Sequence, residues 1–225
     1  MKIIVFDLGG TLMEYRGMPL NWSDYYEKGF RRIAEQFSVA VTAEQLDKSI
    51  AVMRAWNPRI CPREEEADPR LIFEQALAGW DCPIPVEKAI EAFFDGLELR
   101  TEIYPDVFPI LQKLHTAGWT IAALTDLPTA MPDALFKRHI QELLPYFDCY
   151  ISSQSCGFRK PNPAGLYRIA ENYNVPAHEL VFVGDEDKDE RTAQNAGCRF
   201  IRIQKWKETQ GNHTDFFALT QGLLT

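Results

Sequence analysis

KIIVFDLGGT, residues 2–11, is the stretch of sequence that decides the fold. An apolar run that begins at Ile3 ends at Asp7, and Gly9 and Gly10 follow closely. Continuous apolar runs of this length are typical of strands that are covered on both faces, as in a parallel sheet. A carboxylate directly after such a strand is costly to bury unless it has a use. The stretch therefore indicates a buried strand that delivers Asp7 to a functional site.

Later stretches repeat this pattern of an apolar run that ends in polar residues. They are WTIAALTD (119–126), YFDCYISS (146–153), ELVFVGD (179–185) and CRFIRI (198–203). Helical patterns lie between them, because Val107, Ile110, Leu111 and Leu114 follow the spacing that places residues on one face of a helix. Strands that alternate with helices predict a doubly wound α/β domain with a parallel sheet.

The segment from Glu14 to Glu102 breaks the alternation of strands and helices. It contains helical patterns and no convincing strand, and Thr42 with Gln45 forms a capping box before one of the helices. The acidic run REEEAD (63–68) is predicted to be a solvated loop or a helix start. The predicted helices begin after a possible cap at Ser23 and after Thr42, and cover 71–78 and 86–94.

The length of the chain limits its domain organisation. With 225 residues, of which 46% are hydrophobic, it is long enough for one large domain or two unequal ones. We predict a doubly wound core over residues 1–14 and 103–225. A helical cap domain over residues 15–102 is predicted to be inserted into this core after the first strand.

Charge and hydropathy exclude two kinds of partner. A formal net charge of −8 and the lack of a Lys/Arg cluster argue against nucleic acid. No apolar run approaches the length of a membrane-spanning helix, so no membrane partner is expected. Five scattered cysteines without CxxC spacing are typical of reduced thiols, and no signal-peptide pattern is found. We therefore expect a cytoplasmic protein, as a monomer or a homodimer.

Residues able to do chemistry follow four of the five predicted strands. They are Asp7 after the first, Thr125 and Asp126 after the second, Lys160 beyond the third, and Asp185 with Asp189 after the fourth. Ligands in open α/β sheets bind beyond the carboxyl ends of the strands, so these side chains are expected to converge. Converging carboxylates repel each other unless a cation joins them, and Mg²⁺ suits oxygen ligands beside a phosphate. A carboxylate can also act as a nucleophile and form an aspartyl-phosphate.

In these motifs the chain resembles the haloacid dehalogenase (HAD) superfamily of hydrolases. The family's four motifs stand here as IIVFDLGGT (3–11), IAALT (121–125), GFRKPNPAGLY (157–167) and VGDEDKDERTAQNAG (183–197). The helical insertion after the first motif is similar in size and character to the family's C1 cap. The resemblance implies a Rossmann-like HAD core, a phosphatase-like activity on a small phosphorylated metabolite, and Mg²⁺ as the cofactor.

The resemblance also implies a role for each matched residue. Asp7 would be the nucleophile and would share Mg²⁺ with the backbone carbonyl of Gly9 and with Asp185, while Asp189 would support the metal or hold Lys160. Thr11 fits a brace for the turn as well as it fits a substrate contact. The candidate catalytic residues are Asp7, Thr125 and Lys160; the candidate substrate-binding residues are Gly10, Thr11, Thr125, Asp126 and Lys160; and the candidate metal ligands are Asp7, Gly9, Asp185 and Asp189.

Gly9 departs from the family pattern, which has an Asp two positions after the nucleophile. That Asp protonates the leaving group and then activates water, and a glycine can do neither. We favour a phosphatase that works without this acid, slowly or on substrates with good leaving groups, or that recruits another group, such as Glu14 or a residue of the cap. Two alternatives stay open. One is other HAD chemistry, either that of a dehalogenase or that of a phosphonatase. A phosphonatase would form a Schiff base with a lysine of the cap, for which Lys48 is a candidate on spacing alone. The other is a regulatory protein that binds phosphate with weak turnover.

The choice of substrate is expected to lie in the helical insertion. Aromatic and basic side chains there could line an entrance to the site. The candidates are Trp22, Tyr25, Trp56, Arg59 and Arg63. Aromatic residues at helical spacing more often form the core of a helical domain than touch substrate.

Overall fold

The apolar run of the first motif forms the central strand of a parallel sheet. The computed structural model describes residues 2–81, 83–203 and 222–223. The strands are β1 (Ile3–Phe6), β2 (Met13–Tyr15), β3 (Thr101–Ile103), β4 (Thr120–Thr125), β5 (Cys149–Ser152), β6 (Leu180–Gly184) and β7 (Arg199–Arg202). The main sheet has the strand order β5-β4-β1-β6-β7, and a second, antiparallel sheet pairs β2 with β3.

Both faces of β1 are buried, which explains its unbroken apolar sequence. Ile4 and Phe6 point into the larger hydrophobic core, and Ile3 and Val5 point into a second core on the opposite face. All four side chains are fully buried. A parallel sheet covered on both faces matches the expected doubly wound α/β fold, and this prediction is confirmed.

Helices fill the chain between β2 and β3 and follow the later strands. They are α1 (Tyr26–Phe37), α2 (Ala43–Ala55), α3 (Pro69–Leu77), α4 (Val86–Leu97), α5 (Val107–Thr116), α6 (Asp133–His139), α7 (Ser153–Cys156), α8 (Ala164–Asn172) and α9 (Asp187–Ala196). Thr42 and Gln45 form the predicted capping box at the start of α2. Helices α1 and α4 approach closely at Gly29, where an added Cβ would lie 2.5 Å from the ring of Phe93.

Two local predictions about the insertion are wrong. Ser23 does not cap α1, because it opens a short 3₁₀ turn and the helix starts at Tyr26 without a side-chain cap. The segment is also not free of strands. Strands β2 and β3 pair at its two junctions with the core, with Glu14 opposite Glu102. Three-residue strands are too short to show a period in sequence, so no pattern marked them.

Two further expectations concern membranes and thiols. Among the described residues, no helix is long and apolar enough to cross a membrane. The described cysteines, Cys61, Cys149, Cys156 and Cys198, are free thiols, and Cys82 lies outside the described residues.

Candidate active site

The carboxyl ends of β1, β4 and β6 lie side by side. Phe6 at the end of β1 is level with Ala123 of β4 and Val183 of β6. The backbone N–H of Asp7 donates to the carbonyl of Val183 at 2.9 Å, which holds Asp7 at this edge. Thr125 ends β4 and is also buried. The register of the sheet therefore brings the first, second and fourth motifs together.

Lys160 joins two of the buried carboxylates. Its Nζ donates to Asp7 Oδ1 at 2.6 Å and to Asp189 Oδ1 at 2.5 Å, and its side chain is 2% exposed. Burial alone would lower the pKa of this ammonium group. The carboxylates of Asp189 and Asp7 outweigh that effect, so the pKa of Lys160 lies above its usual range and the group stays charged.

Three buried carboxylates carry more negative charge than Lys160 neutralises. Oxygens of Asp7, Asp185 and Asp189 all lie within 4.8 Å of one another. Burial raises the pKa of Asp7 to about 8, against the attraction of Lys160, and repulsion by Asp189 and Asp185 adds to the rise. A compact set of carboxylate oxygens with a residual negative charge fits the ligand preference of a hard divalent cation such as Mg²⁺.

The glycine turn after β1 packs directly on Asp185. Gly10 has a φ of +84°, and a Cβ there would lie 2.5 Å from Asp185 Oδ2, so only glycine fits at this position. Thr11 is fully buried and its hydroxyl donates to Asp185 Oδ1 at 3.2 Å. Thr11 is also absent from the lining of the cavity beside the site, so its position favours the role of a brace over a substrate contact.

Asp126 is used within the protein. Its Oδ1 accepts the backbone N–H of Lys160 at 3.0 Å, and its Oδ2 accepts Lys188 Nζ at 3.1 Å. Burial opposes ionisation of Asp126, but Lys188, Arg159 and Lys160 outweigh it and hold the pKa below its usual range. Asp126 is therefore a charged anchor for the loop that carries Lys160.

Glu186, the residue after Asp185, links the core to the helical insertion. It accepts Arg59 Nη2 at 2.7 Å and lies 3.4 Å from Lys188 Nζ. Burial raises the pKa of Glu186, but Lys188 and Arg59 outweigh it and lower the pKa to about 2. This ion pair bridges residue 59 of the insertion and the fourth motif of the core.

A cavity of about 1190 Å³ opens onto these groups. Asp7, Gly9, Gly10, Thr125, Asp126, Lys160 and Asp185 line it. Of the expected entrance residues, Trp22, Arg59 and Arg63 line it as well, whereas Tyr25 and Trp56 do not. Lys48 is also absent from the lining. It lies on α2 with 70% of its side chain exposed and pairs with Glu44, so the suggestion that it serves as a Schiff-base lysine is wrong.

Glu66 is the site-proximal residue that the sequence analysis missed. The run 63–68 was predicted to be solvated or a helix start, and Asp68 does cap α3. However, the side chain of Glu66 is only 7% exposed, and it pairs with Arg159 and accepts the hydroxyl of Ser153 at 2.5 Å. The prediction that this residue is solvated is wrong, because Arg159, a buried arginine of the core, pairs with it. In the sequence, the signals for this pair were the acidic run 63–68 and Arg159, which stands next to Lys160.

The backbone of the insertion also pairs with the loop that carries Lys160. The N–H of Arg159 donates to the carbonyl of Glu64 at 2.6 Å, and the N–H of Glu66 donates to the carbonyl of Gly157 at 2.9 Å. Glu65 and Phe158 form an antiparallel bridge between these bonds. The insertion therefore helps to build the loop next to the catalytic candidates.

Gly9 faces open space. An added Cβ would meet no atom within 4 Å, and Gly9 is not among the glycines with positive φ. Neither a close approach nor a left-handed backbone requires a glycine here. The absence of a side chain at this position therefore removes a chemical group without a structural reason for its removal.

The match to a family model decides the family. The model of the haloacid dehalogenase-like hydrolases matches residues 1–197. The chain belongs to this family. This membership confirms the expected HAD-like hydrolase and covers all four motifs, Asp7 to Asp189.

Relatives of this HAD hydrolase include both sequences and solved structures. A phosphoglycolate phosphatase of Aliivibrio fischeri is 29% identical over 90% of this chain and 84% of its own length. The crystal structure of an HAD phosphatase from Thermococcus onnurineus has a TM-score of 0.58 at 19% identity, over 91% of this chain and 86% of that one. CbbY from Rhodobacter sphaeroides, solved in complex with phosphate, has a TM-score of 0.52 at 18% identity, over 90% and 86%. At these identities the two structures show a shared fold.

Proposed function

We propose that this HAD hydrolase is a Mg²⁺-dependent phosphatase of a small phosphorylated metabolite, with Asp7 as the nucleophile. The observation that carries the proposal is the buried cluster at the sheet edge. There, Lys160 contacts Asp7 and Asp189, and Asp185 lies beside them under an open cavity. A structural ion pair would not need three carboxylates for one lysine, nor access to a cavity.

The chain's own residues suit the steps of phosphoryl transfer. One oxygen of Asp7 would attack phosphorus and form an aspartyl-phosphate, which water then hydrolyses. Lys160 fixes Asp7 Oδ1 at 2.6 Å and supplies positive charge for the phosphoryl oxygens. Thr125, at the end of β4, lines the cavity and offers a hydroxyl to the same oxygens.

The proposed Mg²⁺ would be held by Asp7 and Asp185, with the Gly9 carbonyl as a further ligand. Asp189 is committed to Lys160 through Oδ1 and to the backbone N–H of Glu186 through Oδ2 at 2.9 Å. It therefore fits a supporting role better than a direct ligand. When bound, Mg²⁺ would neutralise the nucleophile and phosphate so that two anions can meet.

The relatives support a phosphatase reaction and suggest phosphoglycolate as the first ester to assay. The A. fischeri protein, which aligns over most of both chains, carries the name phosphoglycolate phosphatase. The phosphonatase alternative lacks a lysine at the cavity in the position of Lys48, which lies away from it. The dehalogenase alternative is disfavoured because the chain keeps Asp185 and Asp189 of the fourth motif, a pattern from which the family's dehalogenases depart. A regulatory phosphate-binding role would use the same pocket without turnover. Release of phosphate from an ester separates it from the proposal.

The test combines metal binding with turnover. Asp185→Asn keeps the shape of the side chain and removes its charge, so Mg²⁺ affinity measured by calorimetry should fall at least about tenfold, with loss of phosphate release. Asp47→Asn is the matched control, because Asp47 is exposed on α2 and does not line the cavity. Unchanged Mg²⁺ affinity in the folded Asp185→Asn protein would reject the metal assignment. Failure of the wild-type protein to release phosphate from any ester would reject the phosphatase.

A further inference from the structure

One wall of the cavity is apolar and aromatic. Beyond the charged edge, the lining includes Met13, Tyr15, Met18, Trp22 and Phe136. The rings of Tyr15 and Trp22 meet edge to face with centroids 5.3 Å apart. The Tyr15 hydroxyl shares a hydrogen bond of 2.8 Å with His139 Nδ1, so the polar end of Tyr15 is already satisfied. Met13 and Phe136 are buried in the core, so the surface that a ligand would meet consists mainly of the partly exposed Met18 and Trp22, with a small part of Tyr15.

The size of the cavity exceeds the needs of a very small ester. About 1190 Å³ lies at or above the upper end of the volume typical of sites for drug-sized ligands. A phosphoryl group held between Lys160 and Thr125 would occupy only the charged end. The remaining volume, next to the apolar wall, is available to the group that leaves.

The cations that line the cavity are mostly neutralised within the protein. Beyond Lys160, four of them form ion pairs with carboxylates, and Arg191 is the one for which the described residues provide no ion pair; it lies exposed on α9. A second negative group on the substrate would therefore compete with existing pairs unless it reached Arg191. The pairs are Arg59 with Glu186, Arg63 with Glu66, Arg159 with Glu66, and Lys188 with Asp126.

Gly9 adds an independent chemical constraint. An alkoxide is a poor leaving group that needs a proton as it departs, and the position that supplies it in the family is empty of a side chain. The anion of an aromatic alcohol is delocalised into its ring and leaves without that proton. The missing acid and the aromatic wall thus favour the same class of leaving group.

We propose that the substrate is a small phosphomonoester of an aromatic alcohol, whose ring lies against Tyr15 and Trp22. This inference rests on the proposed phosphatase function. An oxygen of Asp7 forms the new bond to phosphorus while the bond from phosphorus to the aromatic oxygen breaks, and that oxygen keeps the electron pair and takes a proton from solvent. Water then cleaves the aspartyl-phosphate, which releases inorganic phosphate and returns the Asp7 carboxylate.

Binding of stable phosphonates tests the ring contact without turnover. Benzylphosphonate imitates phenyl phosphate, methylphosphonate lacks the ring, and 3-phosphonopropanoate carries a carboxylate in the place of the ring. With Mg²⁺ present, calorimetry should show benzylphosphonate binding about tenfold more tightly than methylphosphonate. We expect 3-phosphonopropanoate to bind no more tightly than methylphosphonate. Equal binding of the benzyl and methyl compounds would overturn the inference, as would tighter binding of 3-phosphonopropanoate that Arg191→Gln abolishes.

Variants of the wall locate the contact. Trp22→Ala should remove most of the roughly tenfold advantage of benzylphosphonate and leave methylphosphonate unchanged. Met18→Gln, which keeps the length of a half-buried side chain, gives the same direction if Trp22→Ala does not fold. Leu71→Ala is the control, because Leu71 is 43% exposed on α3 and does not line the cavity. An unchanged benzylphosphonate advantage in both folded wall variants would overturn the placement of the ring.

Turnover separates this inference from the proposed function. Phenyl phosphate should have a kcat/KM at least about tenfold above that of phosphoglycolate, and benzyl phosphate should keep a low KM with a low kcat. Phosphate release from phosphoglycolate with kcat/KM above that of phenyl phosphate would leave the phosphatase intact and overturn the aromatic class. Release from no ester, with phosphonates still bound, would overturn the phosphatase and the substrate class together.

Discussion

The edge of the core sheet and the centre of the helical insertion are both buried, but they bury opposite chemistry. At the sheet edge, Lys160 lies among the carboxylates of Asp7 and Asp189, all at most 6% exposed at the side chain. In the insertion, Phe93 packs edge to face on Phe30 and Phe73, with ring centroids 5.1 Å and 5.3 Å apart. One region concentrates charge and the other concentrates aromatic surface.

This difference separates function from stability. Aromatic burial contributes a large favourable free energy to folding, whereas buried charges gain little because desolvation offsets their attraction. Burial raises the pKa of Asp7 to about 8, which reflects the free-energy cost of removing a carboxylate from water. Changes at the sheet edge should therefore affect catalysis more than folding, and changes in the helical centre should do the reverse.

Replacement of the proposed nucleophile should give the largest effect. Asp7→Asn would remove the oxygen anion that attacks phosphorus in the proposed mechanism, so phosphate release should fall about 10⁴-fold or more. The melting temperature should hold or rise slightly, because Asn is neutral and Lys160 keeps Asp189 as its partner. Asp47→Asn, at an exposed position of α2, is the control. Loss of folding in Asp7→Asn with Mg²⁺ absent would show that the charge cluster stabilises the fold.

Truncation in the helical centre should show the opposite pattern. Phe93→Ala removes a ring that is 1% exposed, so the free energy of unfolding measured with urea should drop by about 3–5 kcal/mol. Turnover per folded molecule should stay within about threefold of wild type, because Phe93 does not line the cavity. Leu71→Ala, at an exposed position of α3, should cost less than about 1 kcal/mol. A large loss of turnover in folded Phe93→Ala would break the separation.

An acid introduced at residue 9 should increase turnover without changing the stability of the helical insertion. Gly9→Asp should raise turnover of alkyl phosphates by about 10²-fold, since general acid–base catalysis contributes about 10²–10⁴-fold. The open space around Gly9 and its ordinary φ leave room for the side chain. Gly79→Asp is the matched control, because Gly79 is also uncrowded but lies after α3. If folded, Mg²⁺-binding Gly9→Asp gains nothing, another residue supplies the proton, and Glu14, which lines the cavity and accepts the Tyr104 hydroxyl at 3.2 Å, is then the first candidate.

The pH dependence of metal binding should give the smallest effect. Burial raises the pKa of Asp7 to about 8, so we expect the folded, metal-free protein to hold a proton there below pH 8. Binding of the proposed Mg²⁺ would displace that proton, so its apparent affinity should fall by up to about tenfold for each pH unit below 8. Calorimetry in two buffers of different ionisation enthalpy measures the proton release. Mg²⁺ binding without proton release at pH 7 would show that Asp7 is already ionised.

The sequence predicts the core better than the insertion's contacts with it. The apolar runs predict the five strands of the main sheet. Burial on both faces leaves no polar positions in the central strands β1 and β6, whereas the edge strand β7 is partly exposed and carries Arg199 and Arg202. The spacing of the motifs at strand ends predicts the convergence of Asp7, Lys160 and Asp185. The buried pair of Glu66 with Arg159 has no periodic signal, because its partners lie 93 residues apart and meet only after folding. The same holds for β2 and β3, which are short and pair across the whole insertion.

The pairing of Glu64 and Glu66 with the loop of Gly157 and Arg159 limits how freely the insertion could be exchanged for another. Insertions of this kind look like modules that could be exchanged between relatives. Here the exchange would strip the Arg159 amide and the Gly157 carbonyl of their partners and leave the Arg159 charge without Glu66. The loop that positions Lys160, next to Arg159, would then lose these hydrogen bonds. The insertion is therefore not an independent module, because the loop that carries Lys160 takes two backbone hydrogen bonds and the partner of Arg159 from it.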